Sequence, residues 1–224
     1  MKLVEEPEDD LDTLAALRGI SHKVLDDAGI RTQIGGSYDG WYALPYPHRS
    51  GIWKTRYYQP DTGHGREYRD DPGAAFHLYN PLKLGSGEEE VWFAEGEFDT
   101  LALIDQGLNA IGIHGVGNVK KSKAEEDKDS DETEEEVGFR RTWQLLFADT
   151  LCIVMFDNDD KGRPAGRRLA RGLEGEVFDG WVDNFKDANE WHRSDPAGLG
   201  AAIDRFRRGV YRSRGLVSGE PLVE

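Results

Sequence analysis

Apolar and polar positions alternate along this chain with two periods, and the switch between them predicts two parts. Leu11–Leu17 is apolar at helical spacing, Gly19 stops it, and Ser21 stands as the N-cap of a second short helix that runs to Ala28. From Ile30 to about Asn80 the helical period disappears. Tyr38–Tyr46 and Gly51–Tyr58 are aromatic, roughly alternating and set off by turn residues, which predicts antiparallel strands in a small mixed α+β unit. From Val91 onward, short apolar runs read as buried strands at Val91–Ala94, Asn109–Ile113 and Leu151–Phe156, with a weaker strand within Glu176–Val182. Helical spacings fall between and after them, at Phe98–Gln106, Phe139–Phe147 and Pro164–Gly172. Alternating strands and helices predict an α/β fold with a parallel sheet covered on both faces. Right-handed crossovers then gather the strand-to-helix turns at one sheet edge, where such sheets bind ligands.

These readings divide the chain into an acidic disordered tail (1–10), a smaller mixed α+β subdomain (11–88), an α/β domain (89–192) and a basic C-terminal helical segment and tail (193–224). Residues 120–137 interrupt the α/β domain. They are densely charged and without apolar periodicity, which predicts a solvated, mobile insertion.

Two of the turns carry the candidate chemistry. Glu95-Gly96-Glu97-Phe98-Asp99 follows the first parallel strand, and Asp157-Asn158-Asp159-Asp160-Lys161-Gly162 follows a later one. If the two strands are neighbours, Glu95, Asp157 and Asp159 converge. Crowded carboxylates repel one another and are normally held by divalent cations, and hard oxygen ligands select Mg²⁺ or Mn²⁺. Asp157 and Asp159 are two residues apart and point the same way in extended geometry, whereas Asp160 points away. Gly96 allows a sharp turn and close ligand approach, and Gly162 permits the bend into the following helix. Asp99 falls at a helix start, where it caps the helix or braces the site. Asp187, before the helix that opens at Ala188, is either a further ligand or that helix's N-cap. Each turn alone also reads as an ordinary acidic loop; the pair, each behind an apolar strand, points to metal-dependent phosphoryl transfer.

The formal net charge of −15 argues at first against a nucleic-acid partner. Its distribution changes that picture. Glu5–Asp12, Glu88–Glu90 and Glu125–Glu136 together hold 18 of the 43 acidic residues and one basic residue, so the body of the chain is close to neutral. Lys54, Arg56 and Arg69 lie on or beside the aromatic strands, the composition of a single-strand platform, although solvated edge charge gives the same pattern. Cys152 is the only cysteine and sits in an apolar run, which excludes internal disulfides and a Cys₄ zinc site. The six histidines form no HxH or HExxH pair. His114, beside the Gly115-Val116-Gly117 turn, reads as a surface imidazole or a phosphate contact. No apolar run reaches the ~20 residues of a membrane span and no signal-peptide pattern opens the chain, so a soluble cytoplasmic protein is expected.

The two acidic turns resemble the signatures of the Toprim domain: Glu95-Gly96 followed by Asp99, and Asp157, Asp159 and Gly162 in an Asp-x-Asp-x-x-Gly pattern. Upstream, Leu17-Arg18-Gly19-Ile20-Ser21, Leu44-Pro45-Tyr46, Lys54-Thr55-Arg56, Glu67–Gly73 and Leu78-Tyr79-Asn80-Pro81 resemble the RNA-polymerase core of bacterial and phage DNA primases. Lys186-Asp187-Ala188-Asn189 is similar to the third acidic motif of phage primase–helicases. The resemblance covers about residues 14–192. It implies a Toprim fold, Rossmann-like with helices on both faces, behind the smaller subdomain. It implies template-directed RNA primer synthesis from NTPs on single-stranded DNA, with Glu95 as the metal-linked acid or base and Asp157 and Asp159 as Mg²⁺ ligands. Lys54, Arg56 and Arg69 would line the groove for nucleotide or template. The sequence shows no zinc-binding module and no P-loop, so either a separate zinc-ribbon or helicase protein is expected to supply initiation specificity and unwinding, or the chain does not initiate primers. The same carboxylates serve a Toprim nuclease, and a non-catalytic replisome or recombination adaptor keeps the same fold.

Overall fold

In the computed structural model the described residues are 10–47, 53–60, 67–72, 78–79, 89–114 and 146–215. The insertion 120–137, and the predicted helix 139–147 up to residue 145, lie outside them. The fold is mixed α/β with two sheets.

The N-terminal part begins with α1 (Leu11–Arg18) and α2 (His22–Asp27). Asp10 caps α1 by accepting from Thr13 N, and Ser21 caps α2 by accepting from Val24 N, so each helix starts where a side-chain oxygen satisfies a free backbone donor. Gly19 ends α1 at φ +66, and a Cβ there would come within 2.8 Å of Arg193 Cα. Four strands follow in an antiparallel sheet of order β1-β2-β3-β4: β1 (Arg31–Thr32), β2 (Tyr42–Pro47), β3 (Trp53–Gln59) and β4 (Glu67–Asp70). The strand predicted from Tyr38 starts later, at Tyr42. Gly36–Tyr38 is a 3₁₀ turn and Gly40 has φ +77, a conformation that breaks an extended run.

The second sheet has the order β5-β7-β6-β8-β9. Its strands β6 (Glu90–Ala94), β7 (Ala110–Ile113), β8 (Leu151–Met155) and β9 (Glu176–Val177) are mutually parallel. The short β5 (Leu78–Tyr79) pairs antiparallel with β7. The central strands are buried on both faces, which explains why they read as continuous apolar runs rather than alternating ones.

Helices cover both faces. Trp92, Ala94, Ile153 and Met155 meet α3 (Glu97–Asp105), α5 (Ala188–Ser194) and α6 (Pro196–Ser213) on one side. Val91, Phe93, Cys152 and Val154 meet α4 (Gly162–Leu173) on the other. The two parts share α3: Phe98 and Leu101 enter the N-terminal core with Leu44, Tyr46 and Tyr58, while Leu103 enters the sheet core. Among the described residues no helix is long and apolar enough to cross a membrane.

Helix α6 is anchored by a buried acid. Glu90 accepts from Trp92 Nε1 (2.5 Å), Arg207 Nε (3.1 Å) and the Tyr211 hydroxyl. Replacing it leaves a buried indole N–H and a guanidinium without their acceptor. Glu90→Ala is expected to lower the unfolding free energy by about 3 kcal/mol, measured by urea denaturation.

Candidate active site

Parallel pairing of β6 with β8 sets Ala94 opposite Met155, so Glu95 and Asp157 leave the same sheet edge from adjacent strands. Crowding is written into their proton affinities. Burial, then the charges of Asp157 and Asp159, push the Glu95 carboxyl up to about 7, and its Oε2 is buried without a hydrogen-bond partner. Asp157 is raised as well, mainly by burial. Asp99 is raised well above the carboxylate range by burial and by the charges of Asp187 and Asp157. These four groups, with Asp159, feel one another electrostatically.

Each is held by a specific local device. Asp159 Oδ1 accepts from Lys161 N (2.9 Å) and Gly162 N (2.8 Å), and its carboxyl is lowered chiefly by those backbone donors. Asp187 caps α5 by accepting from Glu190 N (2.7 Å). Asp99 Oδ1 accepts from Asn189 N (2.9 Å), so it braces α3 against α5. The glycines act through contact. A Cβ on Gly162 would lie 2.3 Å from the Asp157 carbonyl oxygen, and one on Gly96 would lie 3.2 Å from Asp99 Oδ2. Neither has a positive φ; at Gly162 the backbone contact forbids a side chain, whereas at Gly96 a Cβ would press only on the end of the Asp99 side chain.

Lys186 has a part that the sequence did not reveal. Its Nζ lies 3.2 Å from Asp157 Oδ2 and 3.7 Å from Asp159 Oδ2. Asn158 N donates to the Lys186 carbonyl at 2.6 Å, which ties this segment to the second acidic turn. As the side chains stand, no group of three His, Cys, Asp or Glu among the described residues is arranged to hold a metal ion. The donor set still fits a cation. An ammonium already stands between Asp157 and Asp159, Glu95 Oε2 is an unused buried acceptor, and every donor is a hard oxygen.

The basic residues separate. Arg56 faces inward. Its Nη1 donates to Glu97 Oε1 (2.7 Å) and lies 2.6 Å from His114 Nδ1, and its guanidinium sits over the Tyr68 ring at 4.1 Å. Glu97 is 4% exposed, and also accepts from the Tyr46 hydroxyl. Despite burial its carboxyl is pulled down to about 2 by His114, Arg56 and Tyr46. His114 is thus a partner of this cluster rather than a surface imidazole. Arg69 pairs across from Tyr57, on the opposite face of the sheet from Arg56, whose neighbour on β4 is Asp70. Lys54 Nζ donates to the Pro72 carbonyl at 3.3 Å. Lys54, Arg56 and Arg69 therefore do not form one stripe. Glu97 escaped the sequence reading because its partners come from β2, β3 and the end of β7, distant in the chain.

No protein-family model matches the sequence, and no curated protein does. Solved structures do resemble the fold. One is the primase fragment of the bacteriophage T7 primase-helicase protein, at TM-score 0.53 and 21% identity, covering 84% of this chain and 70% of that one. Another is a complex of the bacteriophage T7 lagging-strand DNA polymerase with primase domains of two subunits, bound to an RNA/DNA hybrid and dTTP. It aligns at TM-score 0.56 and 21% identity, over 84% of this chain and 87% of that one. The chain has a primase-like fold.

Two outcomes follow from the geometry. Arg56→Ala leaves the buried Glu97 with only Tyr46 and His114 and is expected to cost about 3 kcal/mol, whereas exposed Arg69→Ala should change stability by less than about 0.5 kcal/mol; thermal and urea unfolding compare them. A carboxyl with a raised folded pKa binds its proton more tightly when folded, so the folded state loses relative stability as pH rises through the interval. With chelator present, stability should fall between about pH 4.5 and pH 7, the span of the Glu95 shift. Glu95→Gln should flatten that fall, and an unchanged slope would contradict the assignment.

Proposed function

We propose that this chain is a primase-type nucleotidyltransferase of the Toprim class, joining ribonucleotides into a primer on a single-stranded DNA template. One observation carries the reading: Glu95 and Asp157 leave the same edge of adjacent parallel strands and, with Asp159, act on one another electrostatically, in a fold like that of the phage primase domain. The RNA/DNA hybrid and dTTP named for the second structural neighbour support nucleic acid and nucleoside triphosphates as partners here, and its polymerase and primase-domain assembly supports a replication setting.

In this reading Glu95, Asp157 and Asp159 would hold Mg²⁺ or Mn²⁺, and Asp187, while capping α5, would add a further carboxylate oxygen to the set. Such ions supply charge stabilisation to a transferring phosphoryl group and lower the pKa of the attacking hydroxyl. The chain's own residues do the rest. Glu95, at the end of β6, is the group that would take the proton of a primer 3′-hydroxyl as it attacks the α-phosphate and pyrophosphate leaves. Lys186 neutralises Asp157 and Asp159 until substrate arrives, and its ammonium is then within reach of incoming phosphate oxygens. Asp99 fixes α5, and with it Lys186 and Asp187, against α3. Arg56 is engaged by Glu97 at 2.7 Å and by Asp70 at 3.4 Å, so it holds the joint between the two sheets rather than offering a free charge.

Template, labelled NTPs and Mg²⁺ or Mn²⁺ test the proposal. Incorporation is expected, and Glu95→Gln and Asp157→Asn should each reduce it by about 10²–10³-fold while far-UV circular dichroism stays native. Metal-dependent cleavage of plasmid DNA without incorporation would overturn it in favour of a nuclease.

A further inference from the structure

A cleft of about 340 Å³ opens between α4 and the chain that leaves β9, with Asn158 and Gly162 of the second acidic turn in its lining. Its floor is apolar: Val154, Phe156 and Phe178 line it and are almost completely buried. Trp181 forms a wall. Its ring stands edge-on to Phe178 at 5.8 Å and packs against Trp191 at 5.9 Å, so it is set before any ligand arrives. The rim carries four charges. Arg163 and Arg167, one turn apart on α4, come from one element, and Asp179 and Asp183 come from the segment after β9. The mechanism above uses none of these residues.

We propose that this cleft binds a nucleoside monophosphate, with its base against Trp181, its phosphate on Arg163 and Arg167, and its ribose hydroxyls on Asp179 and Asp183. Two guanidiniums at helical spacing match a single phosphate group. An aromatic wall over an apolar floor matches a planar ring. Carboxylates need hydroxyl or amino donors, and they repel the additional charges of a polyphosphate tail. The volume lies at the lower end of the range for small-molecule sites and suits one nucleoside. An uncharged apolar ligand would leave four rim charges unmatched, and inorganic phosphate would leave the aromatic wall uncovered.

The cleft also touches the acidic turn. Asn158 Oδ1 accepts from Arg163 Nε at 2.8 Å, and Asn158 Nδ2 donates to the Phe185 carbonyl at 3.1 Å. A phosphate on Arg163 competes for the first of these bonds, within the segment that carries Asp157 and Asp159.

The full chain, with EDTA to silence any divalent-metal site, is titrated with AMP, GMP, CMP and UMP, and separately with adenosine and with inorganic phosphate. Calorimetry and tryptophan fluorescence follow binding. Saturable one-site binding of at least one monophosphate below about 1 mM is expected, at least tenfold tighter than adenosine or phosphate alone. Arg167→Glu, at an exposed position that should leave the fold intact by circular dichroism, should weaken binding at least tenfold, and Arg205→Glu, at an exposed position of α6, should leave it unchanged. Absence of saturation by every monophosphate up to about 10 mM overturns the proposal. So does binding that survives Arg167→Glu but is lost in Asp157→Asn, which would place the ligand at the carboxylates. Since EDTA removes the metals and incorporation is not the readout, these outcomes are separate from those that test primer synthesis.

Discussion

Glu97 is buried at the start of α3, and a carboxylate in that position is tolerable only when it is paired and hydrogen-bonded. Its partners are Arg56 from β3, Tyr46 from β2 and His114 at the end of β7. The antiparallel sheet and the parallel sheet are therefore joined by one charge and its neutralisers, with Phe98 and Leu101 packing alongside. The same helix begins two residues after Glu95. Whatever fixes α3 fixes the distance between the acidic edge and the aromatic strands, and a nucleic-acid strand spanning the two sheets would depend on that distance.

The acidic edge is organised by the opposite problem. Glu97 has all the partners it needs, whereas Glu95, Asp99 and Asp157 have too few, and burial and mutual repulsion raise all three. Functional sites commonly hold such strain, offset by stability elsewhere. Here the offset is visible in the surroundings: capped helices, a parallel sheet buried on both faces, and the Glu90 cluster that ties α6 to β6.

Much of this was legible in the chain. Apolar runs at Val91–Ala94 and Leu151–Phe156 are buried strands because both of their faces are covered, and the turns behind them hold the carboxylates. Ser21 capped the helix that its position announced, and Asp187 took the cap that was one of its two readings. What stayed hidden depends on pairing between distant segments. Lys186 is an unremarkable lysine until β8 and the segment before α5 are side by side. Arg56 and Arg69 look equivalent as basic residues near aromatic strands, but the register of β3 against β4 sends them to opposite faces. Gly162 reads as a hinge, although the Asp157 carbonyl beneath it is what forbids a side chain.

That register also divides β3 into two histories. Lys54, Arg56 and Tyr58 share the side turned toward α3, where Tyr58 accepts from Arg18 at 2.6 Å and Arg56 meets Glu97. Trp53, Thr55 and Tyr57 share the other side, where Trp53 is 57% exposed. Substitutions along this one strand are therefore judged by two different selectors on alternate residues. The inward set answers to the joint between the sheets and has little room to drift. Of the outward set, Tyr57 is stacked on Tyr38 at 4.2 Å and only Trp53 answers mainly to solvent. Trp53 is thus the place on β3 where surface chemistry can change without disturbing the alignment of the acidic edge.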